Sequence, residues 1–169
     1  PYLPYANLDN YSVCGGEIGA QAKWNNGFGA RFTYAYTKEQ LAKDKDGNTI
    51  NNQYIPAREH ALNARVDFDR QLTKTYGLNI ALQGRVLSGV ENVEYKDYYD
   101  VSKGTISVEY PAYTIWKLSV VQRVGKAVKV NVAFDNLFGY KPKYYYLNSP
   151  ITDGINLQIG MSIDIDKIF

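Results

Sequence analysis

The side chains able to do chemistry are few. His60 is the sole histidine and Cys14 the sole cysteine, which excludes an internal disulfide or a cysteine-built metal site. A single histidine does not exclude a catalytic triad, but nothing beside His60 suggests one. His60 shares parity with Leu62 and Val66, so on a regular strand it points where they point. The run Asp44-Lys45-Asp46-Gly47-Asn48 offers oxygen ligands of the kind calcium takes, but its glycine is misplaced for an EF-hand and no glutamate closes the loop. It is read as a solvated turn. One further concentration lies between Val90 and Glu109, where Glu91, Glu94, Asp97 and Asp100 accompany Tyr95, Tyr98 and Tyr99. These three tyrosines are the candidate ligand contacts, able to present rings and hydroxyls from an exposed loop. No catalytic residue, metal ligand or resident cofactor is expected.

The elements that would position these residues follow from a period of two. From Ser12 to Trp24, Ile18, Ala20, Ala22 and Trp24 oppose Glu17, Gly19, Gln21 and Lys23. From Phe28 to Thr37, Phe32, Tyr34 and Tyr36 oppose Arg31 and Thr33, and from Ala61 to Asp69, Leu62, Val66 and Phe68 oppose Asn63, Arg65, Asp67 and Asp69. Leu78 to Val86, Trp116 to Val124, Val128 to Asp135 and Ile155 to Asp164 repeat the contrast, noisiest around Gln122. Helical spacing fits none of these better. The prediction is an antiparallel meander of about seven or eight strands, with Arg31, Arg65, Arg85 and Lys129 on one face and Phe32, Val66, Leu82 and Val132 on the other.

Two further patterns choose between a dry core and lipid. Connections alternate in length: tight at Asn25-Asn26-Gly27, long from Lys38 to Glu59, short from Arg70 to Thr75, long from Ser88 to Ala112, tight at Gly125-Lys126-Ala127, long from Gly139 to Asp153. That is the arrangement of an outer-membrane barrel, with short periplasmic turns and long external loops. Tyrosine occurs 16 times, and Trp24 and Phe28 flank the first tight turn, Tyr76 follows the second, and Tyr34, Tyr36, Tyr110, Tyr113 and Tyr144 to Tyr146 lie near the long loops, where amphipathic rings favour membrane interfaces. The many charges on the polar face cannot be buried unpaired, so the apolar face is the one turned to lipid. No run reaches the roughly 20 apolar residues of a membrane helix. The formal charge of +2 is spread along the chain without clustering, and nucleic acid is not an expected partner.

The C-terminal end resembles the TonB-dependent receptor family in Asp135-Asn136-Leu137-Phe138, the loop from Tyr144 to Pro150, Gly154, the run Ile155 to Ile165 and the terminal Phe169. Tyr5-Ala6-Asn7 followed by Gly16-Glu17, the approach Ile55-Pro56-Ala57, and Tyr113-Thr114-Ile115-Trp116 are similar to that family too, while Lys167 stands where it favours an apolar residue. The resemblance implies an all-β, up-and-down transmembrane barrel segment in the bacterial outer membrane, residues 1–169 being the C-terminal part of a receptor barrel whose plug domain and earlier strands are absent. It also implies uptake of a scarce small ligand, with haem, an iron chelate or cobalamin placed first. The implied partners are outer-membrane lipid, the TonB system and the receptor's own plug, and no enzyme activity is implied. The alternative is a complete small barrel of about eight strands, structural or adhesive, with Tyr2 to Asn10 as the additional strand.

Overall fold

The computed structural model describes residues 12–40, 57–97, 99–142 and 152–167. Nine strands form in chain order: β1 (Ser12–Lys23), β2 (Phe28–Gln40), β3 (His60–Gln71), β4 (Tyr76–Leu87), β5 (Val90–Tyr95), β6 (Thr105–Tyr110), β7 (Tyr113–Val124), β8 (Val128–Asp135) and β9 (Asn156–Ile163). Seven of them make one antiparallel sheet in the order β1-β2-β3-β4-β7-β8-β9. Every neighbour in that sheet is also the next strand laid down, once the β5–β6 hairpin is set aside, which is an up-and-down meander. The only helical turns among the described residues are two short 3₁₀ segments, Val101–Lys103 and Ile165–Lys167.

Register confirms the predicted facing. Arg31 pairs with Arg65, Arg65 with Gln83 and Gln83 with Lys117 along one row. Val66 pairs with Leu82 and Leu82 with Leu118, with Val120 opposite Val132 on the same parity. Directly opposed residues share a face, so the charged and apolar rows separate through the middle of the sheet, with Arg70 and Gln122 opposite Leu78 as polar departures near the tight turns. The noise at Gln122 also has an explanation: it lies on the apolar side near the tight turns, where its Oε1 accepts from the Tyr76 hydroxyl at 3.0 Å. That is a polar pair at interface level.

The long connection from Ser88 to Ala112 departs from expectation. It carries a separate two-stranded sheet, β5 against β6 from Val90↔Tyr110 to Tyr95↔Thr105. Its alternation is weak, because Asn92 and Glu94 fall where apolar residues would mark a face. Its strands protrude beyond the membrane-spanning wall and need no lipid-facing side, so the pattern that reveals the other seven is missing.

No layered core supports this sheet. Among the described residues the buried apolar ones are Ala81, Leu87, Tyr110 and Ala133, and the row Ile18, Val66, Ile159 and Met161 is 55–71% exposed. An apolar patch of this size on a water-soluble surface would be an aggregation site, whereas in hydrocarbon it is the solvated surface. Its height fits. Tyr76 to Val86 on β4 spans about 33 Å along the strand at the usual rise, and a tilt of about 40° reduces this to roughly 25 Å, the apolar band of an outer-membrane barrel.

The tight turns are knitted to one another. Gly27 (φ 100°) and Gly125 (φ 64°) adopt the left-handed backbone their turns require. Asp69 N donates to Gly27 O, Gly125 N to Thr75 O, and Asp164 N to Ala127 O, at 2.7–2.8 Å. Neighbouring turns therefore share hydrogen bonds, and the corresponding end of the wall is fixed as a unit.

Candidate functional site: a charged wall and a tied rim

Two surfaces have functional geometry, the charged face of the sheet and the loop-side rim above it. On the charged face, Arg65 Nε meets Asp67 Oδ1 at 3.0 Å, Lys117 Nζ meets Asp135 Oδ1 at 2.8 Å and Arg123 Nη2 meets Asp69 Oδ1 at 2.7 Å. Arg31 is held differently, its Nε and Nη2 both donating to Gln21 Oε1 at 3.2 and 2.9 Å. Small residues make room for these heads. A Cβ on Gly29 would lie 2.9 Å from Asp67 Oδ2, one on Gly77 would lie 2.7 Å from Arg123 Nε, and one on Gly160 would lie 2.6 Å from Asn131 Oδ1. Between β1 and β4 the face is concave, enclosing about 420 Å³ lined by Gln21, Lys23, Arg31, Arg65, Asp67 and Asn79 among others. Such a wall can bind polar or ionic matter inside a lumen.

At the loop-side rim, Arg58 is the organising residue. Its Nη1 donates to the carbonyls of Ser88 and Pro111, the latter at 2.9 Å. Those carbonyls lie at the two feet of the β5–β6 hairpin, so one guanidinium clasps both legs. The same group lies 4.7 Å over the centre of the Tyr113 ring, and Tyr113 stacks on Tyr140 with centroids 5.3 Å apart. Burial pushes the Tyr140 hydroxyl's pKa above its ordinary value. Tyr140 is in turn placed by Asn136, which is 4% exposed and takes φ 52°. The Asn136 Nδ2 donates to Tyr140 O, Thr152 Oγ1 and Gly154 O at 2.7, 2.9 and 3.0 Å, while its Oδ1 accepts from Tyr140 N at 2.9 Å. One continuous set of contacts thus runs from the β8–β9 connection to the base of the hairpin.

Of the predicted ligand contacts, Tyr95 ends β5 opposite Thr105 and is half-buried, Tyr99 is fully exposed at the hairpin tip, and Tyr98 lies outside the described residues. The acids beside them serve the tip itself. Asp97 pairs with Lys103 and accepts from Tyr99 N, and Asp100 accepts from Ser102. The Lys103 ammonium, followed by the Tyr99 amide, holds the Asp97 carboxyl below its usual range. His60 faces the apolar side as parity requires: it is opposite Tyr36, and its Nδ1 is 2.7 Å from the Tyr34 hydroxyl. The three rings form an interface cluster. No group of three or more metal-ligating side chains occurs among the described residues, and Asp44 to Asn48 lies outside them. Arg58 and Tyr140 carried no sequence signal of their own, being a lone cation and one tyrosine among sixteen.

Comparison with known proteins agrees with this architecture. The family described as TonB dependent receptor-like, beta-barrel matches residues 1–137. The FrpB iron transporter from Neisseria meningitidis (F3-3 variant) superposes with a TM-score of 0.61 at 16% identity, over 90% of this chain and 23% of the transporter. The chain therefore spans about a quarter of that protein's length. No curated protein matches it at the level of sequence. A meander with lipid-height apolar rows, a charged inner face and a family match over most of its length leads to one assignment: the chain belongs to the TonB-dependent receptor-like β-barrel family.

Proposed function

We propose that this chain forms the C-terminal part of the barrel wall of a TonB-dependent receptor in the Gram-negative outer membrane. There it surrounds a plug domain and takes part in the uptake of a scarce small ligand. The observation that carries the reading is the division of the sheet into an exposed apolar face and a charged concave face. A charged interior suits a lumen that is filled by water and another polar body, since charges of this number cannot face a dry core. The work is transport, powered through an inner-membrane partner, and the wall contributes no catalysis. Iron chelate, haem and cobalamin are the ligand classes placed first, and the structural likeness to an iron transporter favours the iron-containing ones.

The tied rim fits the same reading. A ligand arriving from outside meets the β5–β6 hairpin first, and Tyr95 and Tyr99 remain its candidate contacts there, together with Tyr98. Deleting the full-length gene and measuring growth on ferric chelates, haem or cobalamin as sole source tests the proposal. Loss of growth on one source, restored by the intact gene and dependent on the TonB system, is the expected outcome. Unchanged uptake of every source, with an intact barrel that forms a permanently open pore, would refute it.

A further inference from the structure

We infer that Arg31 and Arg65 form a carboxylate-binding station on the inner wall, filled by an acidic side chain of the plug. The inference rests on the reading above. The two arginines are directly opposed across β2 and β3. Like charges opposed in this way destabilise a sheet unless an anion lies between or above them. The wall supplies only part of that anion. Asp67 is engaged by Arg65 at 3.0 Å and Asp69 by Arg123 at 2.7 Å. Arg31 meets only the neutral Gln21 oxygen among the described residues. Gln21 takes Nε and one Nη2 proton, and the remaining Nη1 and Nη2 protons of Arg31 have no acceptor among the described residues. A carboxylate is the planar anion that such a fork holds best.

Position selects the source of that carboxylate. Arg31 is three residues beyond Phe28, the first residue of β2 after the tight turn, about 10 Å along the strand. It lies in the half of the wall remote from the hairpin and the Arg58 clasp. A ligand captured at the loops does not reach this depth before the lumen opens, whereas a body filling the lumen does. The concavity of about 420 Å³ is lined by Lys23, Arg31 and Arg65 and by Asp67 and Asp69, the two acids already engaged by Arg65 and Arg123, and gives an acidic side chain room to reach Arg31. Gly29 keeps that space clear, since any Cβ there would press on Asp67.

The test uses the full-length receptor in planar lipid bilayers, with potassium chloride conductance as the readout of plug displacement under increasing urea. Arg31→Gln keeps the bond to Gln21 feasible and removes the charge; Arg31→Glu reverses it. Both should lower the urea concentration at which conductance appears and raise open events roughly tenfold or more at fixed urea, the scale of one lost charge-assisted bond. Barrel integrity is checked by unchanged heat-modifiable gel mobility, and if Arg31→Glu fails that check, Arg31→Gln and Arg65→Gln still decide. Replacing the plug's Asp and Glu residues with Lys one at a time in the Arg31→Glu background should restore closure at the contacting position alone. Closure identical to wild type in Arg31→Gln and Arg65→Gln overturns the inference. So does weaker ligand uptake with unaltered closure, which would make the anion the cargo. Either result leaves the transport reading standing, whereas a full-length protein with no plug removes both.

Discussion

Replacing Asn136 separates the contributions to the tied rim. Asn136→Ala removes one accepted bond and the two Nδ2 protons that three acceptors share, from a residue that is 4% exposed. At about 1 kcal/mol net per bond, two donated and one accepted, this is roughly 3 kcal/mol, and more if the freed carbonyls find no water. The backbone adds to it, because φ 52° suits asparagine and costs alanine about 1 kcal/mol. Asn136→Gly loses the same bonds without that backbone cost, so it should be milder than Ala by about 1 kcal/mol. Asn136→Asp keeps the acceptor for Tyr140 N but directs charge at the carbonyls of Tyr140 and Gly154, and should be as damaging as Ala. Hydrogen exchange on the full-length protein in lipid is the assay. Protection should fall at Tyr140 in the Ala and Gly variants and around Gly154 in all three, and stay unchanged in β3 and β4. Wild-type protection around Gly154 in Asn136→Asp would show that the donated bonds hold nothing, and the account of the rim would fail.

The other perturbations address facing, packing and the clasp. Val66→Arg, on the outer face, should destabilise the folded barrel by about 2–4 kcal/mol if it lies near the bilayer midplane. Thr33→Arg on the inner face should cost far less, and reversible denaturation in lipid that ranks the two the other way would invert the assignment of faces. Gly84→Val should drive a side chain into the Trp116 ring, whose Cε3 would be 2.5 Å from the new Cβ; a shift in tryptophan emission with loss of heat-modifiable mobility is expected, and an unaltered spectrum would contradict the packing. Arg58→Ala should release both feet of the β5–β6 hairpin, so that trypsin cuts at Lys96 or Lys103 several times faster while the strands stay resistant. Arg58→Lys should rescue only in part, since an ammonium reproduces neither the ring contact nor the planar reach to two carbonyls. Equal cleavage in all three proteins would mean that the hairpin is held by other contacts.

The seven wall strands were legible in the sequence because hydrocarbon imposes a strict demand on alternate residues. Phe32, Val66 and Ile159 must be apolar, while Arg31, Arg65 and Gln158 must not, and that demand survives without any neighbour to consult. Loop lengths and turn residues were legible for a related reason: a tight link between two strands with Gly27 or Gly125 in left-handed conformation has few alternatives. The hairpin β5–β6 was not legible, since its strands face no hydrocarbon and its buried residues, Asn92 and Tyr110, form no alternating apolar row. Nor was the clasp. Arg58, Tyr113 and Tyr140 are far apart in sequence, and what unites them is the convergence of three connections at one rim. Asn136 lay inside a recognised motif, yet its work, bonds donated to three acceptors from a left-handed residue, is visible only once the β8–β9 connection is folded back on it.

The sheet's own edges complete the physical case for a larger wall. Among the described residues β1 and β9 are its outermost strands, each paired on one side. A backbone group left without a partner in hydrocarbon costs several kcal/mol, and a membrane strand presents such groups along its whole free side. Water can relieve an open edge in a soluble sheet, but it has no access at the level of Ile159 and Met161, whose side chains face lipid. Charge on the edge, the usual soluble defence, is also missing from β9, whose outward row is apolar throughout: Leu157, Ile159, Met161 and Ile163. The two edges are therefore stable in a membrane only when further strands continue the sheet from them, and the charged face is stable only when the lumen so enclosed holds water and polar protein. A closed barrel around a polar body, the arrangement proposed for this chain, meets both requirements together.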